Sequence, residues 1–312
     1  SNVLGKPMKE PQDVPFEKEG QYLKSDNRNN ISYFLEHNVL LRRFTLSVGV
    51  LANYNSALNE GIHFYPGIDA SYRIGDNFRL YGSWNRALRM PTFTDLYYEG
   101  KTNKGNPDLK PEESEAFEVG LKYNTYFLRA HIAGFYRKGK NMIDWVKEKP
   151  EDIWESQNLT KVDNLGFETN LSLLPRELGN ERFFIRKIEL GYAFIHQDKD
   201  SEGYISNYAL DYLKHKFTAQ LSHSIWKGFS ATWYVRWQDR AGSYTKYENL
   251  KPAYEEPYSP YCLVDMKVNW EYQRLNLYAE LNNLLNSTYY DLGNIPQPGI
   301  WFKAGFRYSF KY

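Results

Sequence analysis

Cys262 is the only cysteine in the chain. That excludes an intrachain disulfide, and it excludes a zinc or cluster site built on thiolates, which needs several cysteines at set spacings. Charge of one sign is lacking as well: 39 Lys and Arg stand against 38 Asp and Glu, a net charge of +1. With no basic excess and no basic run, the electrostatic footprint that recruits nucleic acid is missing. No stretch approaches the ~18 apolar residues of a membrane-crossing helix. The strings G-x-S-x-G and H-E-x-x-H do not occur, nor does a complete G-x-x-x-x-G-K-[ST]. The nucleophile elbow, the zinc-protease helix and the phosphate loop therefore have no counterpart. The opening residues Ser1-Asn2-Val3 continue into polar, proline-bearing sequence without the pattern of a secretory leader. The expectation is that a leader was removed or that the chain starts inside a larger gene product.

Aromatic residues, by contrast, are abundant. There are 27 tyrosines, 18 phenylalanines and 8 tryptophans, 17% of the 312 residues. Mean hydropathy is nevertheless that of a polar protein. A transmembrane β-barrel reconciles the two, because each strand alternates lipid-facing apolar with lumen-facing polar residues and so averages out in any window.

The two-residue period is clearest at the end. Phe302, Ala304, Phe306, Tyr308, Phe310 and Tyr312 alternate with Lys303, Gly305, Arg307, Ser309 and Lys311. Cys262, Val264, Met266, Val268, Trp270 and Tyr272 form a similar stripe, as do Leu275, Leu277, Ala279 and Leu281. Further stripes are Phe229, Ala231, Trp233, Val235 and Trp237; Phe217, Ala219, Leu221 and Ile225, with His223 the misfit; Ile188, Leu190, Tyr192 and Phe194; and Phe117, Val119, Leu121 and Tyr123. Weaker ones centre on 31–38, 44–51, 65–73, 78–84, 126–137 and 164–174. The template yields roughly thirteen strands and no helical period. Many run to about ten residues or more, nearer the ~9–11 that cross a bilayer than the ~5–6 of soluble sheets.

Short turns at 42–43, 75–77, 124–125, 227–228 and 273–274, with a longer one at 175–185, alternate with polar links near 52–63, 86–112, 147–160, 198–214, 239–259 and 286–299. Short turns on one rim and long loops on the other describe an outer-membrane barrel. The expected fold is thus all-β: an antiparallel up-and-down transmembrane barrel, present in part. Counted back from the C-terminus, the first strand runs down into a short turn. Residues 1–29 are then expected in an outward loop or lead-in, with 30–312 as the C-terminal portion of one barrel domain.

Gly105-Asn106-Pro107-Asp108-Leu109-Lys110-Pro111-Glu112 runs directly into a strand, and Arg86-Ala87-Leu88-Arg89-Met90-Pro91-Thr92-Phe93-Thr94-Asp95-Leu96-Tyr97 precedes it. With Phe135-Tyr136-Arg137-Lys138, Asn141-Met142-Ile143-Asp144-Trp145, Asn164-Leu165-Gly166-Phe167-Glu168, Asn282-Asn283-Leu284-Leu285-Asn286-Ser287-Thr288-Tyr289 and Pro298-Gly299, these blocks resemble TonB-dependent outer-membrane receptors of the vitamin B12 and ferric siderophore branch. The set spans roughly 78–312 in order; each block alone is weak. Two positions depart from the pattern: Ile300 follows Pro298-Gly299 where the family usually has Arg, and the chain ends on Tyr312 where it usually ends on Phe. The family's N-terminal plug and TonB-box segment have no counterpart among these residues.

The resemblance implies about 13 strands of a barrel of about 22. It implies energy-dependent uptake of a ferric siderophore, haem or cobalamin across the outer membrane of a Gram-negative bacterium, with no cofactor and no catalysis. The implied partners are outer-membrane lipid, the TonB energy-transducing complex acting through the plug segment, the small metal chelate or vitamin, and a surface lipoprotein. Arg86, Arg89, Tyr97, Tyr98 and Trp154 fall in outward loops as candidate ligand contacts; the bland alternative for the arginines is pairing with loop carboxylates. Asp198, Asp200 and Glu202 resemble the front of a calcium loop, but Ala209 stands where the bidentate Glu belongs. His63, His196 and His215 lie where a haem receptor would keep an iron ligand, although loop histidines are most often solvated. A passive porin and a barrel enzyme are the rival readings.

Overall fold

A computed structural model describes residues 2–5, 24–56, 61–100, 102–149, 151–179, 182–200, 203–206, 212–248, 251–293 and 295–310. Thirteen strands follow one another in chain order, each hydrogen-bonded to the next. They are β1 (Asn30–Leu40), β2 (Phe44–Asn55), β3 (Ile62–Ile74), β4 (Phe78–Arg89), β5 (Glu112–Asn124), β6 (Leu128–Lys147), β7 (Trp154–Leu173), β8 (Ile185–Asp200), β9 (Leu213–Trp226), β10 (Phe229–Arg240), β11 (Tyr261–Tyr272), β12 (Leu275–Asn282) and β13 (Trp301–Tyr308). Every neighbouring pair is antiparallel. β1 and β13 are the two edges; the sheet is not closed among the described residues.

Register converts the alternation of each strand into two continuous faces. Phe302, Leu281, Met266, Trp233, Leu221, Ile188, Leu173 and Leu128 stand side by side on eight successive strands. Leu121, Leu80, Tyr72 and Phe44 continue such a row on β5 to β2. The opposite face carries Lys303, Glu280, Lys267, Thr232, Ser222 and Lys187 side by side. There Glu280 bridges Lys267 (2.7 Å) and Lys303, and the Ser222 and Thr232 hydroxyls meet at 3.0 Å. His223, the misfit on the apolar face, accepts a hydrogen bond from Trp233 Nε1 at 3.2 Å, so its polar nitrogen is satisfied there.

Phe306 is 74% exposed and Phe302 62%, in rows that cross the whole sheet. An apolar surface of that extent far exceeds the few hundred Å² that water-soluble monomers show, so its natural solvent is hydrocarbon. The polar face is kept thin where tyrosines cross it. A Cβ on Gly120 would lie 2.5 Å from the Tyr81 ring, and one on Gly305 would lie 2.5 Å from the Tyr278 hydroxyl. Only glycine lets those rings lie flat across the neighbouring strand.

The connections at 41–43, 75–77, 125–127, 227–228 and 273–274, two or three residues each, share one rim with the eleven-residue connection at 174–184. Gly75 and Gly228 take positive φ there, +65° and +75°. The longer connections at 56–61, 90–111, 148–153, 201–212, 241–260 and 283–300 share the other. The described parts of the segment before β1, Asn2–Gly5 and Lys24–Asn27, pair antiparallel beside that second rim; residues 6–23 lie outside the described residues.

Two features differ from the sequence reading. A five-residue helix, Phe93–Tyr97, and a 3₁₀ turn, Pro175–Leu178, sit in connections, too short to show any helical period. And β6 and β7 run 20 residues each, so 147–160 is mostly strand and only 148–153 connects them. Twenty residues span about 66 Å, about twice the length of the ~9–11 residues needed to cross a bilayer. Their outer halves are covered by loops, so polar residues occupy both faces and the alternation that marks the wall fades.

Candidate functional site: the loop assembly above β4 to β7

Several of the most deeply buried residues lie in these extensions. Asp144 and Val146 on β6, and Ser156 and Val162 on β7, are 3% exposed or less. Neighbouring loops cover them: Asn103–Lys104 pairs in parallel with Trp154 and Glu155, and Ile205–Ser206 pairs with Val146 and Lys147. Ser206 donates its hydroxyl proton to Asp144 Oδ2.

The connection from β4 to β5 is built on one buried carboxylate. Glu112, 7% exposed, takes Arg89 through both oxygens at 2.5 and 2.6 Å, and its Oε1 also accepts from the backbone N–H of Ile143 at 2.8 Å. A bidentate guanidinium–carboxylate pair is the strong form of such a contact. The hydrogen bond to Glu112 raises the Arg89 pKa above its ordinary value, against the opposing effect of burial. Arg89 also approaches Asp95 at 4.0 Å. Asp95 caps the short helix with Thr92: the Thr92 hydroxyl accepts from Asp95 N, and the carboxylate accepts from Thr92 N at 2.9 Å. Leu96 is buried beneath Gly105, where any Cβ would come within 2.8 Å of backbone. Farther along, Asn158 of β7 accepts from Lys110 N and donates to the Lys110 and Asn141 carbonyls at 2.8, 2.9 and 2.7 Å.

The candidate contacts divide accordingly. Arg86 shares the face of Trp84, not that of the lumen-type polar residues, and pairs with Glu115 at 3.2 Å and Glu113 at 3.9 Å. Arg89 is engaged by Glu112. Tyr97 and Tyr98 are exposed, and Tyr98 stands edge-on to Trp145 at 6.2 Å. Trp154 lies under the Lys147 ammonium, 4.5 Å from the ring centroid, a cation–π contact. Trp145, quoted above in a family block but not among the candidate ligand contacts, thus pairs with Tyr98, while Trp154 meets the Lys147 ammonium on the adjoining strand. Its place beside Asp144 on a strand end was the only available signal.

A second cluster ties the last loops together. Tyr244 stacks on Tyr290 at 5.1 Å and meets the tilted ring of Tyr258 at 5.2 Å, and Tyr258 accepts from Gly293 N. Asn283 works similarly: its side chain donates to the Ser287 and Pro298 carbonyls and accepts from Ser287 N, while its own N–H donates to Asp265.

The remaining candidates do not converge. Asp198 lies along β8, 3.8 Å from Lys161, in extended backbone and not in a loop folded round a cation. Glu202 lies outside the described residues. His63 is on β3, whereas His196 and His215 are on β8 and β9, with His215 Nδ1 held by the Tyr192 hydroxyl at 2.8 Å. Among the described residues no group of three or more His, Cys, Asp or Glu is placed to hold a metal ion.

An up-and-down antiparallel wall with one apolar face, one polar face and an elaborated rim is part of a large, loop-capped β-barrel. The family model "TonB dependent receptor-like, beta-barrel" matches residues 8–284, and the chain belongs to that family. It is 27% identical over 225 residues to the vitamin B12 transporter BtuB of Vibrio vulnificus, covering 54% of this chain and 36% of that one. It is 23% identical over 297 residues to the ferrienterobactin receptor of Escherichia coli, covering 86% and 38%. Among solved structures, the ferric enterobactin receptor PfeA of Pseudomonas aeruginosa superposes with a TM-score of 0.71 at 19% identity, over 99% of this chain and 49% of that one. The chain thus spans 36% and 38% of the length of those two curated relatives.

Proposed function

We propose that this chain forms wall and capture loops of a receptor in the outer membrane of a Gram-negative bacterium, taking up a scarce ferric siderophore, haem or cobalamin with energy from the inner membrane. One observation carries the reading: an apolar face continuous over thirteen strands is joined to a rim whose connections fold into a buried, aromatic-lined assembly. A passive porin needs the wall but not that assembly. The relatives named for vitamin B12 and ferrienterobactin support the substrate class. Lipid contacts the apolar face, and the TonB complex acts through the plug segment that the resemblance implies. Residues 1–29 belong to the outward side and 30–312 to the barrel domain. Tyr97, Tyr98 and Trp154 contact the ligand, Arg86 and Arg89 hold the loops that present them, and a surface lipoprotein covers the rim. Exposed aromatic rings on a rim whose arginines are already paired suit a large, partly apolar chelate.

The test is uptake. A strain lacking the gene is supplied with radiolabelled ferric siderophores, haemin and cyanocobalamin, with and without an inner-membrane uncoupler. Loss of uncoupler-sensitive uptake of one of these, restored by the intact gene, is expected. Unchanged uptake of all of them, with reduced passive entry of small sugars, would overturn the proposal in favour of a channel.

A further inference from the structure

The longest connection on the short-turn rim, 174–184, carries one of two arginines that converge on a single hydroxyl. Arg176 Nη2 and Arg186 Nε both donate to Ser224 Oγ, at 2.7 and 2.8 Å, and Arg176 Nε donates to the Phe183 carbonyl. Two β-bulges shape this corner. One falls between Ile185 and Lys187 on β8, which makes Arg186 the extra residue; the other falls between Ser224 and Trp226 on β9. A bulge at a barrel rim re-aims a side chain, and here two of them on paired strands adjoin the same serine.

The corner holds donors without acceptors. A guanidinium keeps its proton and accepts nothing, and Ser224, already accepting from both arginines, has only its own proton left to give. Among the described residues neither arginine has a carboxylate within ion-pair distance; Glu189, farther along β8, is taken by Lys187 at 2.8 Å. Two like charges converging on one neutral oxygen repel each other, and holding the connection in place needs only one of them. What completes such a set is an oxyanion, and the planar fork of a guanidinium matches phosphate.

Depth and neighbours indicate where the phosphate comes from. From Leu165 to Leu173 the apolar side of β7 runs on the order of 26 Å, close to the ~25 Å apolar band of such barrels. Arg176 follows Leu173 by three residues, so the corner lies at the level where the headgroups of the inward leaflet begin. Phe184, Ile225 and Trp226 stand exposed beside it, at 57, 57 and 69%. Exposed apolar side chains next to two converging cations fit a ligand with an anionic head and apolar tails.

We propose that this corner binds the phosphate of an anionic phospholipid in the inward leaflet, with Arg176, Arg186 and the Ser224 hydroxyl donating to its oxygens. The inference rests on the membrane placement proposed above and adds a lipid site on the short-turn rim, at the opposite end of the wall from the capture loops.

The experiment uses the protein extracted from outer membranes in mild detergent. Phospholipid retained by wild type is counted by native mass spectrometry and compared with that on Arg176→Gln/Arg186→Gln and on Ser224→Ala. Arg43→Gln/Arg274→Gln, which removes the same charge from other turns of this rim, is the control. Affinity is then measured by titrating phosphatidylglycerol into phosphatidylcholine nanodiscs that hold each protein. A charge-assisted hydrogen bond is worth roughly tenfold at the low end of its range, so the double arginine variant should bind phosphatidylglycerol on the order of 100-fold more weakly. Ser224→Ala keeps both charges and should weaken binding several-fold even if the double variant does not fold; the control should match wild type. An equal loss in the control marks diffuse attraction to an anionic surface and overturns the site, as does undiminished binding in the double variant and in Ser224→Ala. Displacement of the lipid by inorganic phosphate, or by a polyglutamate peptide, overturns the lipid as ligand in favour of that anion. Each of these results leaves the uptake test above untouched. Absence of wild-type protein from the outer-membrane fraction overturns the functional reading and this inference with it.

Discussion

Glu112 shows what a single residue contributes. It closes the Asn-Pro-Asp-Leu-Lys-Pro run and carries three hydrogen bonds, two from Arg89 and one from Ile143 N. In sequence the run reads as a loop ending and a strand beginning; that its final carboxylate is the strut of the loop above β6 is visible only once β4, β5 and β6 are adjacent. Glu112→Ala leaves the Ile143 N–H and the Arg89 guanidinium without their acceptor, and an unmet buried partner costs about 1–3 kcal/mol. Half of the Arg89 side chain remains exposed, so water compensates in part and the effect belongs at the low end of that range. Hydrogen exchange should show Ile143 and residues 90–111 opening more readily while β9 to β13 stay as protected as before. Unchanged protection at Ile143 would remove Glu112 from this role.

At the scale of elements, the wall strands and the loop staples answer to different solvents. On β13, Phe306 faces the apolar side beside Leu277, and Lys303 faces the polar side beside Glu280. A guanidinium costs ~2–4 kcal/mol at the bilayer midplane and ~0–1 near its interfaces, so Phe306→Arg, opposite Leu277 and close to the 273–274 turn, should weaken the sheet by an amount between those limits whereas Lys303→Arg is nearly neutral, read as denaturant midpoints in lipid vesicles. Equal midpoints would reverse the assignment of faces. Cys262, opposite Trp237 on the apolar face, should label slowly with a charged maleimide in intact membranes. The tyrosine staple behaves otherwise. Burial first, then the nearby Glu256 carboxylate, holds the Tyr244 pKa above the ordinary phenol value of about 10. The folded staple keeps its proton where the released loop would lose it, so its stability is complete below pH ~10 and falls as pH rises beyond that. Tyrosinate absorbance should then appear together with exchange of the Ser243–Pro257 hairpin amides. A hairpin still protected after Tyr244 ionises would contradict the coupling.

For the whole molecule, thirteen strands in simple succession mean that each wall strand pairs with its chain neighbours, and the architecture of the wall follows from where the turns fall. The sequence marked both rims, the strand count and the two faces, because side chains alternate with a period of two and β pairing preserves that period from strand to strand. The family blocks were legible for the same reason: they punctuate strand ends. Arg86 and Arg89 were legible as rim residues that pair with carboxylates, but which carboxylates they meet was set by register.

What the residues determined by themselves was local and periodic: extended backbone, apolar side against polar side, short turn against long loop. Tertiary structure alone decided what depends on lateral register. It set Glu112 under Ile143, carried β6 and β7 past the wall under loops that hide their alternation, and brought Tyr98 against Trp145 from a separate segment. Alternation states which face a residue takes; only the hydrogen-bonded register of neighbouring strands states whom it meets there, since a strand's period carries no information about its partner's offset.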